Sequence, residues 1–151
     1  MKEIKELLSE LLSVPGTSKE TLEEIAACCE LKKFSANEII YREHENSRFW
    51  FIVISGQVDV QYLLKDGRRQ TLDTCLRGDH LLWSALIEPH ETNSIGIARA
   101  ETDLLCIDGK RLLAICAKDT SFGFRMMSLV ASVIRRRLQA ARKQLSFSNM
   151  H

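Results

Sequence analysis

The sequence predicts a mainly β domain with flanking helices. Three observations carry that reading. Between residues 34 and 108 short apolar or alternating runs are separated by Gly and Asp turns. Helical apolar spacing precedes this region, and it returns beyond residue 109 in a longer form. The chain's 151 residues suffice for one domain with a real core and fall short of two, and 45% hydrophobic with 27% charged residues is a globular composition. The expected organisation is a single domain over 1–151, with a helical lead over 1–33, a β barrel over 34–108 and C-terminal helices over 109–146.

Ile4, Leu7, Leu8, Leu11 and Leu12 recur at helical spacing and predict a short amphipathic helix over residues 3–12, which Pro15 and Gly16 stop. Thr17 or Ser18 caps a second helix whose buried face holds Leu22, Ile25 and Ala26, and which fades near Cys29 and Leu31. From Phe34 the period is that of strands. Glu38 to Tyr41 is one strand, His44 to Ser47 a polar turn, and Phe49 to Ile54 a buried strand ending at Ser55-Gly56. Val58, Val60 and Tyr62 alternate with Gln57, Asp59 and Gln61, which predicts one dry and one wet face. Asp66-Gly67 marks a hairpin, because both residue types tolerate the positive φ of a tight turn. The next strand runs through Gln70 and Leu72 toward Leu76 and closes at Gly78-Asp79.

Trp83 to Ile87 reads as a short helical turn that Pro89 prevents from continuing. Ser94 to Ala100 and Leu104 to Ile107 are further strands, followed by an Asp108-Gly109 turn. So many short strands without crossover helices argue for a closed sandwich or barrel rather than a parallel α/β sheet. Leu112, Leu113, Ile115 and Cys116 make a short helix, and a long one starts after Asp119 or Thr120. Within it Met127, Ala131, Ile134, Leu138, Ala141 and Leu145 alternate spacings of four and three residues, a heptad-type seam that predicts a homodimer. Ser146 to His151 should fray.

Composition excludes several classes. A formal net charge of +1 gives no general attraction to nucleic acid or anionic membrane. Arg135, Arg136, Arg137, Arg142 and Lys143 make the last helix basic, but no aromatic interleaving accompanies them, so a solvated flank beside the seam is expected. No apolar run reaches spanning length and the N-terminus lacks a signal-peptide core, which leads to the expectation of a cytoplasmic protein without membrane partners. Cys28, Cys29, Cys75, Cys106 and Cys116 form no C-x-x-C pair or regular framework and read as reduced core thiols rather than cluster ligands. His44, His80 and His90 contain no H-x-H pair, so no metal site is assigned, and a haem ligand pattern is equally lacking. No nucleophile motif, paired carboxylate or phosphate-cradling Gly loop supports an enzyme.

The order and spacing of several fragments support a resemblance. These are Phe51-Ile52-Val53-Ile54-Ser55-Gly56-Gln57-Val58, Lys65-Asp66-Gly67, Leu76-Arg77-Gly78-Asp79, and Trp83-Ser84-Ala85-Leu86 leading to Ala98-Arg99-Ala100. Across roughly residues 20 to 140 the chain resembles the cyclic-nucleotide-binding domain of bacterial transcription regulators of the catabolite-activator (CRP/FNR) type. The resemblance implies a double-stranded β-helix, or jelly roll, with N-terminal helices and a long C-terminal helix. It also implies a phosphate-binding cassette that reads Gly-Glu-x-x-Leu before a short loop and Arg-x-Ala or Arg-x-Thr after it. In this sequence the Gly-Glu pair falls on Leu82-Trp83 and the arginine position on or close to Ser94, while Arg99 matches a peripheral position. A buried phosphate without a cation would rely on amides and hydroxyls alone at a heavy desolvation cost, so cAMP and cGMP are not the expected ligands. Regulators of the resembled type continue into a helix-turn-helix module, whereas this sequence stops at His151, so DNA binding by it is not expected.

The expected function is therefore a stand-alone small-molecule sensor, its cofactor or ligand unknown. Trp83, Ser84, His90, Thr92, Asn93 and Ser94 would line a remodelled pocket for a neutral or weakly anionic ligand, with the indole stacking on a planar group. Occupancy would shift the hinge between Gly109 and Thr120 and with it the long helix. Two alternatives stand beside it. One is a degenerate domain kept as a dimerisation or protein-partner scaffold, favoured by a filled cavity. The other is cyclic nucleotide binding through an unusual phosphate site.

Overall fold

The computed structural model describes residues 2–148. Two helices, α1 (Lys2–Leu11) and α2 (Lys19–Ala27), lead into eight strands: β1 (Cys29–Phe34), β2 (Ile39–Tyr41), β3 (Phe49–Ser55), β4 (Val58–Leu63), β5 (Arg69–Cys75), β6 (His80–Leu81), β7 (Ile95–Ala98) and β8 (Thr102–Asp108). A single 3₁₀ turn, Trp83–Ala85, separates β6 from β7, and α3 (Gly109–Lys118) and α4 (Thr120–Ser148) follow. The strands form two four-stranded antiparallel sheets, ordered β1-β8-β3-β6 and β2-β7-β4-β5, in the jelly-roll arrangement. The sheets face each other without joining into one closed barrel.

The all-apolar runs are explained by a sheet buried on both faces. In β3, Phe51 and Val53 point between the sheets, while Trp50 and Ile52 point into the helical core. In β8, Leu104 and Cys106 face inward and Leu105 and Ile107 face the helices. Leu8, Leu12, Ile25, Leu112, Phe122 and Met126 supply the helical side of that second core. Each large side chain fully withdrawn from water contributes about 1.5–3 kcal/mol before entropy, so this layer holds α1, α2, α3 and α4 to the sandwich.

Four local expectations are corrected. The strand period starts at Cys29 instead of Phe34, because β1 pairs along β8 from Cys29↔Ile107 to Phe34↔Thr102. Its exposed residues Glu30, Leu31 and Lys33 give no alternation strong enough to mark a strand. The wet face expected of β4 is covered: Asp59 and Gln61 are buried. The Asp59 carboxylate accepts from Thr74 Oγ1 at 2.9 Å and Arg99 Nε at 3.0 Å, and Gln61 Nε2 donates to Thr71 Oγ1 at 3.1 Å. Hydrogen bonding from neighbouring strands thus replaces water. Asp108-Gly109 is a helix start, since the Asp108 side chain accepts from Arg111 N and caps α3.

The fourth correction concerns the basic stretch of α4. Phe122, Met126, Val130 and Val133 form its buried stripe, and the next position on that stripe is Arg137, only 9% exposed. Arg136 and Arg137 both bind Asp73 of β5, so they anchor the helix rather than flank it in solvent. About 100° around the helix from that stripe, Ala131, Leu138, Ala141 and Leu145 are exposed while Met127 and Ile134 pack partly on the helical core. Leu138 and Leu145 are 59% and 65% exposed, and Phe124, 77% exposed, extends the same seam by one more position. No described helix is long and apolar enough to cross a membrane.

Candidate functional site

The turn between β6 and β7 sets the site. Leu82 takes a left-handed conformation, φ 73° and ψ 56°, immediately before the 3₁₀ turn. A residue with a Cβ held there costs about 1–2 kcal/mol, and the position is the one where the resembled cassette has glycine. The Leu82 side chain is buried with Tyr41, Phe51 and Leu81 between the sheets, which offsets the strain. Ala85 N and Leu86 N close the turn on Leu82 O and Trp83 O.

Trp83, Ser84, Asn93 and Ser94 converge here on one small cavity, together with Tyr41, Tyr62, Leu82 and Arg137. The cavity has a volume of about 10 Å³, room for a single water. Tyr41 Oη and Ser94 Oγ share a hydrogen bond of 3.1 Å, and Ser84 Oγ donates to Ser47 Oγ at 2.8 Å. Gly96 makes the first of these possible, because a Cβ there would overlap the Tyr41 ring. Burial pushes the Tyr41 phenol up to about 12, so it stays neutral.

His90 and Thr92 are not on this cavity. The loop carrying them is strapped to the 44–47 turn by His44 N to Thr92 O (2.9 Å), Thr92 N to Glu45 O (2.9 Å) and Ser47 N to His90 O (2.7 Å). His90 Nδ1 donates to Ser84 O at 3.0 Å, and its ring lines a separate cleft with Arg48, Pro89 and Lys110. The Thr92 hydroxyl donates to Arg42 O and accepts from Glu45 N. It faces a third opening with Lys32, Phe34, Phe49 and Phe51.

Four cavity residues were not among the expected set: Leu82, which directly precedes Trp83, and three that are distant in sequence. Tyr41, Tyr62 and Arg137 come from β2, β4 and α4, and only tertiary packing unites them. For Arg137 a signal did exist: it occupies the buried stripe of its helix. Its Nη1 lies 2.5 Å from Asp73 Oδ2, and Nη2 is 3.4 Å from Cys75 Sγ. Arg136 takes both oxygens of the same carboxylate, Nε to Oδ2 at 2.8 Å and Nη2 to Oδ1 at 3.1 Å, and reaches Asp79 Oδ1 at 3.0 Å. The hydrogen bonds with Asp73 hold the Arg136 guanidinium firmly protonated.

The other singled-out side chains are structural. His80 is buried, with Trp50 Nε1 donating to its Nδ1 at 2.8 Å and its Nε2 donating to Leu11 O at 2.9 Å. Burial pushes its pKa down to about 4. His44 is exposed beside Glu43 and Glu91. The cysteines are unpaired, and burial pushes the thiols of Cys29 and Cys106 up to about 12.

The family profile of the cyclic nucleotide-binding domain matches residues 31–119. A search of the curated proteins returns no match. Among solved structures, the chain is similar to a protein of Geobacter metallireducens described as a cyclic nucleotide-binding protein, with 24% identity and a TM-score of 0.77 over 89% of this chain and 97% of that one. It is similar to the sensor domain of the transcriptional regulator DNR from Pseudomonas aeruginosa, with 16% identity and a TM-score of 0.77 over 91% and 93% of the two chains. Thermus thermophilus catabolite activator protein matches with 19% identity and a TM-score of 0.70 over 89% of this chain and 62% of that one.

Proposed function

The chain belongs to the cyclic nucleotide-binding domain family, and from that premise we propose that it serves as a small-molecule sensor whose ligand is neither cAMP nor cGMP and whose site is shut in this conformation. The observation that carries this is the composition of the shut cavity. Tyr41, Ser84, Asn93, Ser94 and the Arg137 guanidinium surround about 10 Å³. A domain that only needed to be filled would be more stable with apolar residues there, because buried polar and charged groups forfeit their hydration. Ligand pockets run to about 300 Å³ or more, so a ligand enters only if α4 moves away from β5.

The route from site to output follows the chain. α4 carries Arg137 at the cavity and, on another side, a seam of exposed Phe124, Ala131, Leu138, Ala141 and Leu145 with half-buried Met127 and Ile134. A shift of the helix that opens the cavity would also reset the seam, through which we propose a second copy docks. The junction of α3 and α4 is tied to α2 by Thr21 Oγ1 to Asp119 Oδ2 (2.7 Å) and Lys118 Nζ to Glu24 Oε1 (2.6 Å). Those contacts make it the pivot.

The smallness of the cavity favours the second reading, a scaffold that binds a partner and no ligand. Titration calorimetry with cAMP and cGMP, joined to a thermal-shift screen of other nucleotides, phosphates and metabolites, separates them. The sensor reading expects no heat from either cyclic nucleotide and a clear shift with another compound. Micromolar binding of cAMP or cGMP would overturn the ligand assignment, and silence across the screen would put the scaffold first.

A further inference from the structure

We propose that Asp73 acts as an internal counter-anion that occupies Arg137, and that an external small anion opens the cavity by taking its place on the guanidinium. The inference rests on the sensor reading and names the chemical class of its ligand: a carboxylate or phosphate group small enough to reach Arg137 past Tyr41 and Ser94.

The resembled cassette places its cation after the loop, and here that position falls on Ser94, just before β7. A cation is nevertheless present at the cavity, delivered by the long helix. Arg137 lines the void and is nine-tenths buried, yet its bonds are one to a carboxylate oxygen and one to a thiol sulfur. A sulfur at 3.4 Å is a weak acceptor, so part of the planar donor fork has no oxygen partner among the described residues.

Asp73 is bound more fully by the other arginine. Arg136 grips it with two nitrogens and also donates from Nη2 to Thr74 O at 2.9 Å. Asp73 Oδ1 also accepts from Thr74 N at 2.9 Å. The carboxylate would therefore keep a paired, hydrogen-bonded place after Arg137 left it, so exchange strands no buried anion. An incoming anion would meet Arg137 as a bidentate partner and the hydroxyls of Tyr41 and Ser94 as donors. Arg137 and Arg136 are neighbours on α4, so loosening one contact with β5 weakens the helix's grip there. The ties to β5 that remain are those of Arg136 to Asp73 and Thr74 O and those of Gln144 to Gln70 Nε2 and Thr71 O.

Inorganic phosphate is the probe, with the fluorescence of Trp83 read in a Trp50→Phe background. Asp73→Asn should bind phosphate at least tenfold more tightly than the parent, and adding Arg137→Met should abolish that gain while adding Arg136→Met should not. Equal affinity of parent and Asp73→Asn, or a gain that survives Arg137→Met, would overturn the proposal. A second measurement keeps the test alive should Asp73→Asn fail to fold: hydrogen exchange of the parent in phosphate against chloride at equal ionic strength. Faster exchange of residues 133–145 in phosphate is expected, and unchanged or slower exchange refutes the displacement. A metabolite whose thermal shift persists in Arg137→Met would sink this inference while leaving the sensor reading standing. Silence of the whole metabolite screen would sink the sensor reading even if phosphate bound Asp73→Asn.

Discussion

Lowering the pH below neutrality should destabilise this domain through one histidine. His80 sits 7% exposed between the Trp50 indole and the end of α1, with Nδ1 accepting and Nε2 donating. A second proton would have to go on Nδ1, where it would oppose the Trp50 N–H, and the imidazolium would sit without water. Burial is the larger cause, and the folded pKa falls from 6.5 to about 4. Because the unfolded chain binds the proton more readily, the stabilisation is fully present above pH 6.5 and is lost as the pH falls toward 4. The displacement amounts to on the order of 3 kcal/mol in full, and on the order of 2 kcal/mol by pH 5. Urea unfolding of the parent and of His80→Gln at several pH values between 7.5 and 5 isolates it, since carboxylates contribute equally to both. The parent should lose about 2 kcal/mol more than the variant over that range. Parallel stability curves, or an NMR titration placing the His80 pKa near 6.5, would refute the reasoning.

Three further outcomes follow from the packing. Replacing Ile134 and Leu138 together by Glu should convert a dimer to monomer or to insoluble chain, and an unchanged dimer mass by sedimentation would exclude the seam as the interface. Gly96→Ala should cost about 1–3 kcal/mol by pushing the Tyr41 ring off its bond with Ser94, and a melting temperature equal to the parent's would show that the ring moves freely. Thiol labelling of the folded protein at pH 8 should be slow at all five cysteines, because burial raises Cys28 and Cys75 and pushes Cys29 and Cys106 to about 12 and Cys116 to about 11. A thiol that reacts within seconds would contradict the burial.

The class of fold and the order of its elements are legible in local sequence patterns. The apolar runs Phe49 to Ile54 and Leu104 to Ile107, the Asp66-Gly67 hairpin and the seam from Met127 to Leu145 each encode a local preference, and local preferences are readable residue by residue. The cassette was legible to the same extent. Trp83, Ser84, Asn93 and Ser94 lie on one short stretch and end at one cavity. His90 and Thr92 lie on that stretch as well, but long-range bonds to residues 44–47 draw them to the other side.

The other features arise from packing between segments distant in the chain. β1 became a strand because β8 offered its edge, not because its own alternation required it. Asp59 and Gln61 could be buried because Thr74, Arg99 and Thr71 arrive from elsewhere to satisfy them. The cation of the cavity is the sharpest case. In sequence, Arg135, Arg136 and Arg137 are three equal charges. The helix turns successive residues by about 100°, which sends Arg137 into the sandwich, Arg136 onto Asp73 and Asp79, and Arg135 into water. That Arg136 and Arg137 both meet the Asp73 carboxylate of β5 while Arg135 meets none depends on how α4 docks, a relation between residues more than sixty positions apart that no local pattern records.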